Sequence, residues 1–161
     1  MSRAFEEKLA KAKNYAYRLL AYRARSFLEL AERLRRKGFS KKIVERIIND
    51  LEELNYLNDR EFSKTFVEIR FSSNPCGRKL IEQELKKKGI NEEIIRDTCE
   101  AVFDGNKEYE LASNLALRRL PRYKNLDEKA KWHRLYGLLG RRGFQLEVVQ
   151  EVLSQVLGKQ V

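Results

Sequence analysis

Histidine and cysteine, which often act as nucleophiles, bases or metal ligands, are scarce in this sequence. The chain contains one histidine, His133, and two cysteines, Cys76 and Cys99, that lie 23 residues apart. The cysteines form no C-x-x-C pair, so neither a structural zinc site nor a disulfide framework is predicted. No recognisable nucleophile–base pair includes His133. We therefore predict that the protein is not an enzyme and has no catalytic residues, metal or other cofactor.

Three further features could carry chemistry but have structural interpretations. Asn74-Pro75 predicts a helix that begins at Pro75, and a helix start would lower the pKa of the adjacent Cys76 thiol. Cys99 occupies an apolar position and is predicted to lie in the core. The glycines of the segment 137–143 are three residues apart, which fits neither common phosphate-binding loop. Close packing and a helix cap explain them better.

Basic residues are the more informative group. Lysine and arginine number 34 against 24 acidic residues, for a net charge of +10. Residues 1–57 carry +6, residues 58–104 carry −1 and residues 105–161 carry +5. This balance suggests an anionic partner, either a nucleic acid or an acidic protein surface. The alternative is a helical protein whose cations lie on solvated faces.

The basic runs belong to a pattern that occurs three times. Gly38, Gly89 and Gly143 are 51 and 54 residues apart, and each follows a basic run. Apolar residues recur 5, 6, 9, 10 and 13 positions after each glycine, with Thr98 as the one polar exception, and this is the spacing of one helix face. A glycine can close a helix in the left-handed conformation, and cations suit the negative end of that helix. Each glycine is therefore predicted to join two helices.

Helix starts complete the pattern. Ser26 and Glu29 form a capping box, and Asn58 begins another helix. Ser40, Asn91 and Asp127 are further N-caps. A first helix is predicted near residues 12–24, 59–72 and 106–120, with an insertion at 121–127 in the third copy. Six tyrosines supply aromatic rings, and most of them occupy apolar helical positions and are predicted to be core: Tyr15, Tyr17, Tyr22, Tyr56, Tyr123 and Tyr136.

These features predict an all-α fold of three tandem three-helix repeats. The repeats span residues 1–57, which include an N-terminal extension, 58–104 and 105–161. A three-helix unit of this size is marginal alone, so stacking would bury the remaining apolar faces in an elongated, curved array.

Stacking would also align the cations into one surface, which we call the basic stripe. For each cluster alone, the alternative role is helix capping and solubility. The candidate partner-binding residues of the basic stripe are Arg25, Arg35, Arg36, Lys37, Arg78, Lys86, Lys87, Lys88, Arg119, Arg141 and Arg142.

The ordered segments resemble the RecX family. The resemblance runs from residue 15 to 157 and rests on Tyr17–Ser26 (YRLLAYRARS), Glu29–Phe39 (ELAERLRRKGF), Leu51–Asp59 (LEELNYLND) with Phe62, Gly77–Ile90 and Leu139–Phe144 (LGRRGF). Asn55 stands where the family tends to have glycine, and Asn58 where an acidic residue is common.

The resemblance implies a regulator of the RecA recombinase. Such proteins bind RecA, lie along the groove of the RecA–DNA filament and restrain its ATPase, coprotease and strand-exchange activities in DNA repair, recombination and the SOS response. They have no catalytic residues of their own. Single-stranded DNA would be contacted mainly through the filament, with weak direct binding as a further possibility.

Two alternatives stay open at this stage. One is a module that binds DNA or RNA directly, and the other is a helical scaffold for an unrelated partner. No apolar run approaches the ~18 residues that span a bilayer, and no signal peptide is recognisable. We expect a monomeric cytoplasmic protein that does not associate with membranes.

Overall fold

The repeated apolar spacing folds into helices throughout the computed structural model, which describes residues 3–158. Within these residues there are nine α-helices and no strand. Unit 1 consists of α1 (Arg3–Tyr22), α2 (Phe27–Arg36) and α3 (Lys41–Glu53). Unit 2 consists of α4 (Asp59–Ser73), α5 (Arg78–Lys87) and α6 (Glu92–Val102). Unit 3 consists of α7 (Lys107–Arg119), a 3₁₀ helix (Leu120–Tyr123), α8 (Glu128–Arg141) and α9 (Leu146–Leu157). The all-α class and the three tandem units are confirmed.

The three repeat glycines close the second helix of each unit as predicted. Their φ angles are 94° at Gly38, 74° at Gly89 and 76° at Gly143, all in the left-handed region. The Gly38 N–H donates to the Arg35 carbonyl (2.9 Å) and the next N–H to the Leu34 carbonyl (3.2 Å). The same pair of bonds closes α5 and α8. Each turn is therefore a Schellman motif, which satisfies carbonyls that the helix leaves unpaired.

The predicted helix starts are also present, with one difference. Ser26 and Glu29 form the capping box, and Asn58, Asn91 and Asp127 each accept hydrogen bonds from backbone N–H groups of the following turn. Ser40 occupies the N-cap of α3 but its side chain makes no capping bond. The sequence prediction for Ser40 was right about the position and wrong about the interaction.

The prediction that a helix begins at Pro75 is wrong. Helix α5 begins at Arg78, with Gly77 as its N-cap in an extended conformation (φ −84°, ψ 173°). The Gly77 N–H donates to the carbonyl of Arg142 in unit 3 (2.9 Å), and this long-range bond holds the backbone outside the helix. Residues 74–76 are therefore a linker that crosses toward unit 3. Helix α1 also differs from expectation, because it extends back to Arg3.

Each unit has its own apolar core. Buried apolar residues form three clusters, centred on Leu30 and Ile47 in unit 1, Ile81 and Cys99 in unit 2, and Leu135 and Val152 in unit 3. The accessible surface of the chain is 10452 Å². A compact monomer of 19.1 kDa would expose about 8,400 Å². The excess surface is that of an elongated array.

Neighbouring units meet at two joints that are largely hydrogen-bonded. In joint 1–2 the Ser26 Oγ donates to the Lys88 carbonyl (2.7 Å), and the Lys88 ammonium donates to Glu29 (2.5 Å). The Phe27 N–H donates to the carboxylate of Asp59 (3.0 Å). The start of α2 is thus bound to the turn that ends α5. Polar groups thus contribute to the contact between the units, beside the apolar Leu28 that packs on Gly89.

Joint 2–3 repeats this arrangement with different side chains. The Gly77 N–H donates to the Arg142 carbonyl, and the Lys79 N–H to the Gly143 carbonyl (3.1 Å). The Arg78 N–H donates to Glu108 (3.0 Å), which is 8% exposed. The start of α5 is therefore bound to the turn that ends α8.

The joints set the second helices in a single row. Because the start of α2 meets the end of α5, and the start of α5 meets the end of α8, the three helices follow one another head to tail. The positive start of each helix then faces the negative end of the next, which is favourable for their dipoles.

Acid should weaken joint 1–2. Burial raises the pKa of Glu29, but hydrogen bonds from Arg23, Lys88 and the Ser26 N–H outweigh burial and lower the pKa to about 2. A lowered pKa stabilises the fold above pH 4.5, and this contribution is lost as the pH falls toward 2. We expect Glu29→Gln to lower the free energy of unfolding at pH 7 by about 1–2 kcal/mol. The free energy of unfolding of this variant, measured by urea denaturation at a series of pH values, should fall less steeply with acid than that of the wild type. The exposed Glu32 lies on the same helix and serves as the control, since Glu32→Gln should leave the loss of stability in acid as it is in the wild type.

No helix within residues 3–158 has the length and apolar composition that crossing a bilayer requires.

Candidate functional site

Nine of the eleven residues of the basic stripe lie in the second helices or in the turns that end them, whereas Arg119 ends α7 and Arg25 precedes α2. The three clusters of the basic stripe lie at the ends of α2, α5 and α8. The end of α5 is part of joint 1–2, and the end of α8 is part of joint 2–3. Helices α2 and α5 have ten residues each, so successive clusters are separated by about 15 Å of helix. The cluster of unit 1 lies at the free end of the row.

Five candidates are exposed and make no ion pair within the described part of the chain. They are Arg35, Arg36, Lys37, Lys87 and Arg141. The half-buried Arg119 makes no ion pair there either, and the exposed Lys86 contacts Glu92 at 3.3 Å. Uncompensated cations at regular intervals can attract an extended anionic partner.

The other candidates are engaged inside the protein. Lys88 binds Glu29 in joint 1–2, while Arg142 donates to the Pro75 carbonyl (3.2 Å) and to the Asn74 side chain in joint 2–3. Arg78 pairs with Glu82 at 2.8 Å. Lys88 and Arg142 therefore hold the joints together, and their loss would change the geometry of the array as well as its charge, whereas the Arg78 pair lies within α5.

Arg25 is buried, with 6% of its surface exposed. Its Nε contacts the Leu19 carbonyl at 3.4 Å. Burial lowers the pKa of the Arg25 guanidinium, and the nearby Arg23 and Arg33 lower it further. Arg25 therefore joins α1 to α2 and does not present its charge to solvent.

Exposed aromatic rings were missed by the sequence prediction. Tyr22, Tyr56 and Tyr136 are 84%, 60% and 41% exposed, so the prediction that most of the six tyrosines are core fails for three of them. Tyr15, Tyr17 and Tyr123 are half-buried against the cores of their units, as predicted. Tyr22 follows the periodicity of α1 but lies in its last turn, where the chain leaves the core. Periodicity alone does not register the end of a helix.

Unit 1 combines aromatic rings with cations. The Lys37 Nζ lies 5.7 Å from the centre of the Tyr15 ring, and the Arg18 guanidinium lies 5.9 Å from the same ring. Lys42 contacts Phe5 in the same way at 5.4 Å. These contacts hold cations at the free end of the row without neutralising them.

The two thiols lie in the core of unit 2. Burial raises the pKa of both Cys76 and Cys99 to about 11, so the predicted lowering at Cys76 is wrong. No group of three or more His, Cys, Asp or Glu side chains in residues 3–158 is placed to hold a metal ion.

Both thiols should therefore be unreactive in the folded protein. We expect negligible reaction with an aromatic disulfide reagent at pH 8, and two thiols per chain after unfolding in urea, because only a thiolate attacks the reagent. Rapid labelling of one cysteine in the folded chain would contradict this burial. In variants that fold, Cys76→Ser, Cys99→Ala and His133→Gln should leave regulation of a partner intact.

Comparison with known proteins agrees with the arrangement of units. Residues 12–51 match the first three-helix domain of RecX, residues 58–98 the second and residues 106–153 the third. A regulatory protein RecX of Amycolatopsis mediterranei is 34% identical over 94% of this chain and 86% of its own length. A regulatory protein RecX of Clostridioides difficile is 32% identical over 94% of this chain and 71% of its own.

Solved structures share the fold. A crystal structure of a regulatory protein RecX superposes with a TM-score of 0.84 at 26% identity, covering 92% of this chain and 74% of the other. The crystal structure of RecX from Lactobacillus salivarius gives the same TM-score at 24% identity, covering 94% of this chain and 97% of the other. With three matching domains in the same order and relatives above 30% identity along most of its length, this chain belongs to the RecX family of regulatory proteins.

Proposed function

We propose that the protein binds RecA and the RecA–DNA filament and inhibits the ATPase, coprotease and strand-exchange activities of RecA in DNA repair. The observation that carries this proposal is the match of all three units, in order, to the three domains of RecX. The row of second helices supports it physically. An elongated surface with cations at about 15 Å intervals suits a partner that repeats along a line and contains a polyanion.

Inhibition would be a binding effect. The family membership and the regulatory names of the relatives favour a protein without catalytic residues of its own. The exposed cations Arg35, Arg36, Lys37, Lys87 and Arg141 are the proposed contacts. Lys88 and Arg142 would act indirectly, by fixing the spacing of the clusters, while Arg78 is paired with Glu82 within its own helix.

A RecA ATPase assay on single-stranded DNA tests the proposal. We expect ATP hydrolysis to fall as the protein is added and to stay low when the DNA concentration is raised severalfold. A protein that only sequesters DNA would lose its effect when more DNA is present. Unchanged hydrolysis at micromolar concentrations of the protein would refute the proposal.

Direct nucleic-acid binding is the second candidate, and the five uncompensated cations favour it. A direct binder should hold naked single-stranded DNA, with log Kd rising with log salt by about 0.7 for each phosphate contacted. Fluorescence anisotropy of a labelled oligonucleotide measures this slope. A filament regulator should instead prefer RecA-coated DNA over naked DNA at the same salt concentration.

A further inference from the structure

The two joints use one design, and unit 1 has the same surface without a neighbour among the described residues. In each joint, the turn that ends the second helix of one unit contacts the start of the second helix of the unit before it. The backbone atoms of the Gly38 turn are built in the same way as those at Gly89 and Gly143. We call the surface formed by the Gly38 turn and the adjacent side of α1 the vacant face.

The space beside each glycine shows which turns are occupied. A Cβ placed on Gly89 would lie 2.6 Å from Leu28, and one on Gly143 would lie 2.4 Å from the Leu80 backbone nitrogen. A Cβ on Gly38 would meet nothing within 4 Å. Within residues 3–158 the Lys37 carbonyl accepts no hydrogen bond, whereas the matching carbonyls of Lys88 and Arg142 both do. Of the glycine carbonyls, Gly143 accepts one in joint 2–3, and Gly38 and Gly89 accept none within the same residues.

The vacant face differs from the joints in the charge of one position. Asp59 and Glu108 accept the first N–H of the incoming helix, and they lie four residues before the buried Ser63 and Ala112. The matching buried residue of unit 1 is Ala12, and the residue four positions before it is the exposed Lys8. A cation therefore stands where both joints have a carboxylate.

We infer that the vacant face binds the acidic first turn of a helix in a partner protein. The free Lys37 carbonyl can accept from a hydrogen-bond donor at the start of an incoming helix, as the Lys88 and Arg142 carbonyls do in the joints, and a phosphate group supplies no such donor. Lys8 would face an acid at the first helical position. Lys37 corresponds to Lys88, which binds Glu29 at the third helical position of α2, so a second acid is expected there. Asp and Glu are favoured in first turns in any case.

A second copy of the chain is a poorer occupant. The start of α8 has Asp127 and Glu128, but Lys129 and Ala130 stand where α2 has Leu28 and Glu29. A lysine at the second position would approach the cations of the vacant face. The inference does not depend on RecA, so it can fail or succeed independently of the proposed function.

A pair of synthetic helices tests the inference. Both are labelled Ala-rich peptides of about 20 residues, long enough to form helix in water. One begins Ser-Asp-Leu-Glu, with the serine as N-cap, and the other begins Ser-Lys-Leu-Lys. By fluorescence anisotropy we expect the wild-type chain to bind the acidic peptide at least tenfold more tightly. Lys8→Glu should remove at least fivefold of that affinity, and the exposed Lys129→Glu should remove none.

Three results would overturn the inference. The first is equal binding of the two peptides by the wild type, and the second is an equal loss of affinity in Lys8→Glu and Lys129→Glu. The third is displacement of the acidic peptide by a single-stranded oligonucleotide whose own binding is lost in Lys8→Glu, which would make the vacant face a nucleic-acid surface. Sedimentation supplies a further check, since self-association abolished by Lys8→Glu would identify a second copy as the occupant.

Discussion

Replacing Gly143 with alanine should open joint 2–3. The added Cβ would lie 2.4 Å from the Leu80 nitrogen and 2.9 Å from its Cα, and backbone atoms cannot move aside as a side chain can. The clash adds to the cost of placing alanine at a φ of 76°. Together the clash and the backbone strain should destabilise the closed joint by about 3 kcal/mol. The Gly77 and Lys79 amides donate across this joint, and their hydrogen exchange should accelerate on the order of a hundredfold.

Gly38→Ala is the matched control for this experiment. Gly38 has the same left-handed conformation, but its Cβ would point into open space. The substitution should therefore cost only the conformational strain, about 1–2 kcal/mol, and should leave the Gly77 and Lys79 amides protected. If both variants lose the same stability and the same protection, the close approach at Gly143 does not hold the units together.

Reversing the charge of four exposed cations should abolish most of the inhibition of RecA. The substitutions are Arg35→Glu, Arg36→Glu, Lys87→Glu and Arg141→Glu, none of which breaks a described ion pair or joint contact. Each exposed charge is worth about 0.5–1 kcal/mol because water and salt screen it, so single variants would change little. Four together exceed the 1.4 kcal/mol that corresponds to tenfold. We expect at least a tenfold rise in the concentration that half-inhibits the RecA ATPase.

The control changes the net charge equally at other sites. Lys64, Arg118, Arg122 and Lys124 are exposed and lie outside the row of second helices. Their reversal to glutamate should leave inhibition within about twofold of the wild type. These side chains lie away from the proposed binding surface, and salt screens the interaction of distant exposed charges with the partner. Equal losses in the two quadruple variants would show that net charge matters and the row does not. Circular dichroism establishes that both variants fold.

Local signals in the sequence predicted the turns and most of the caps. The turns at the repeat glycines were predictable because a Schellman motif depends only on six consecutive residues, among them the glycine and the apolar residue that follows it. Asn55 closes α3 in the same way, with a φ of 57°, where the family tends to have glycine. Its conformation was predictable in principle, since asparagine tolerates the left-handed region. The start of α5 was predicted wrongly because its backbone is fixed by a residue 65 positions away.

The candidate site was harder to predict for the same reason. Runs such as Lys86–Lys88 and Arg141–Arg142 look uniform in the sequence, but the last cation of each run is used in a joint. Asp59 and Glu108 gave no local sign of their role, because each binds a backbone N–H about 30 residues away. Composition gave the charge of the surface, and only the contacts between units showed which charges remain available.

Three separate cores connected by two small joints imply that the free energy of unfolding is a sum over neighbours. Each unit contributes an intrinsic term and each joint a coupling term, as in a one-dimensional Ising chain. A single melting temperature would then average several equilibria, and different spectroscopic probes should give different midpoints. The terminal units are coupled on one side only, so they should open more often than unit 2. We therefore expect the angle between units to change at the expense of a few hydrogen bonds, while each core stays intact.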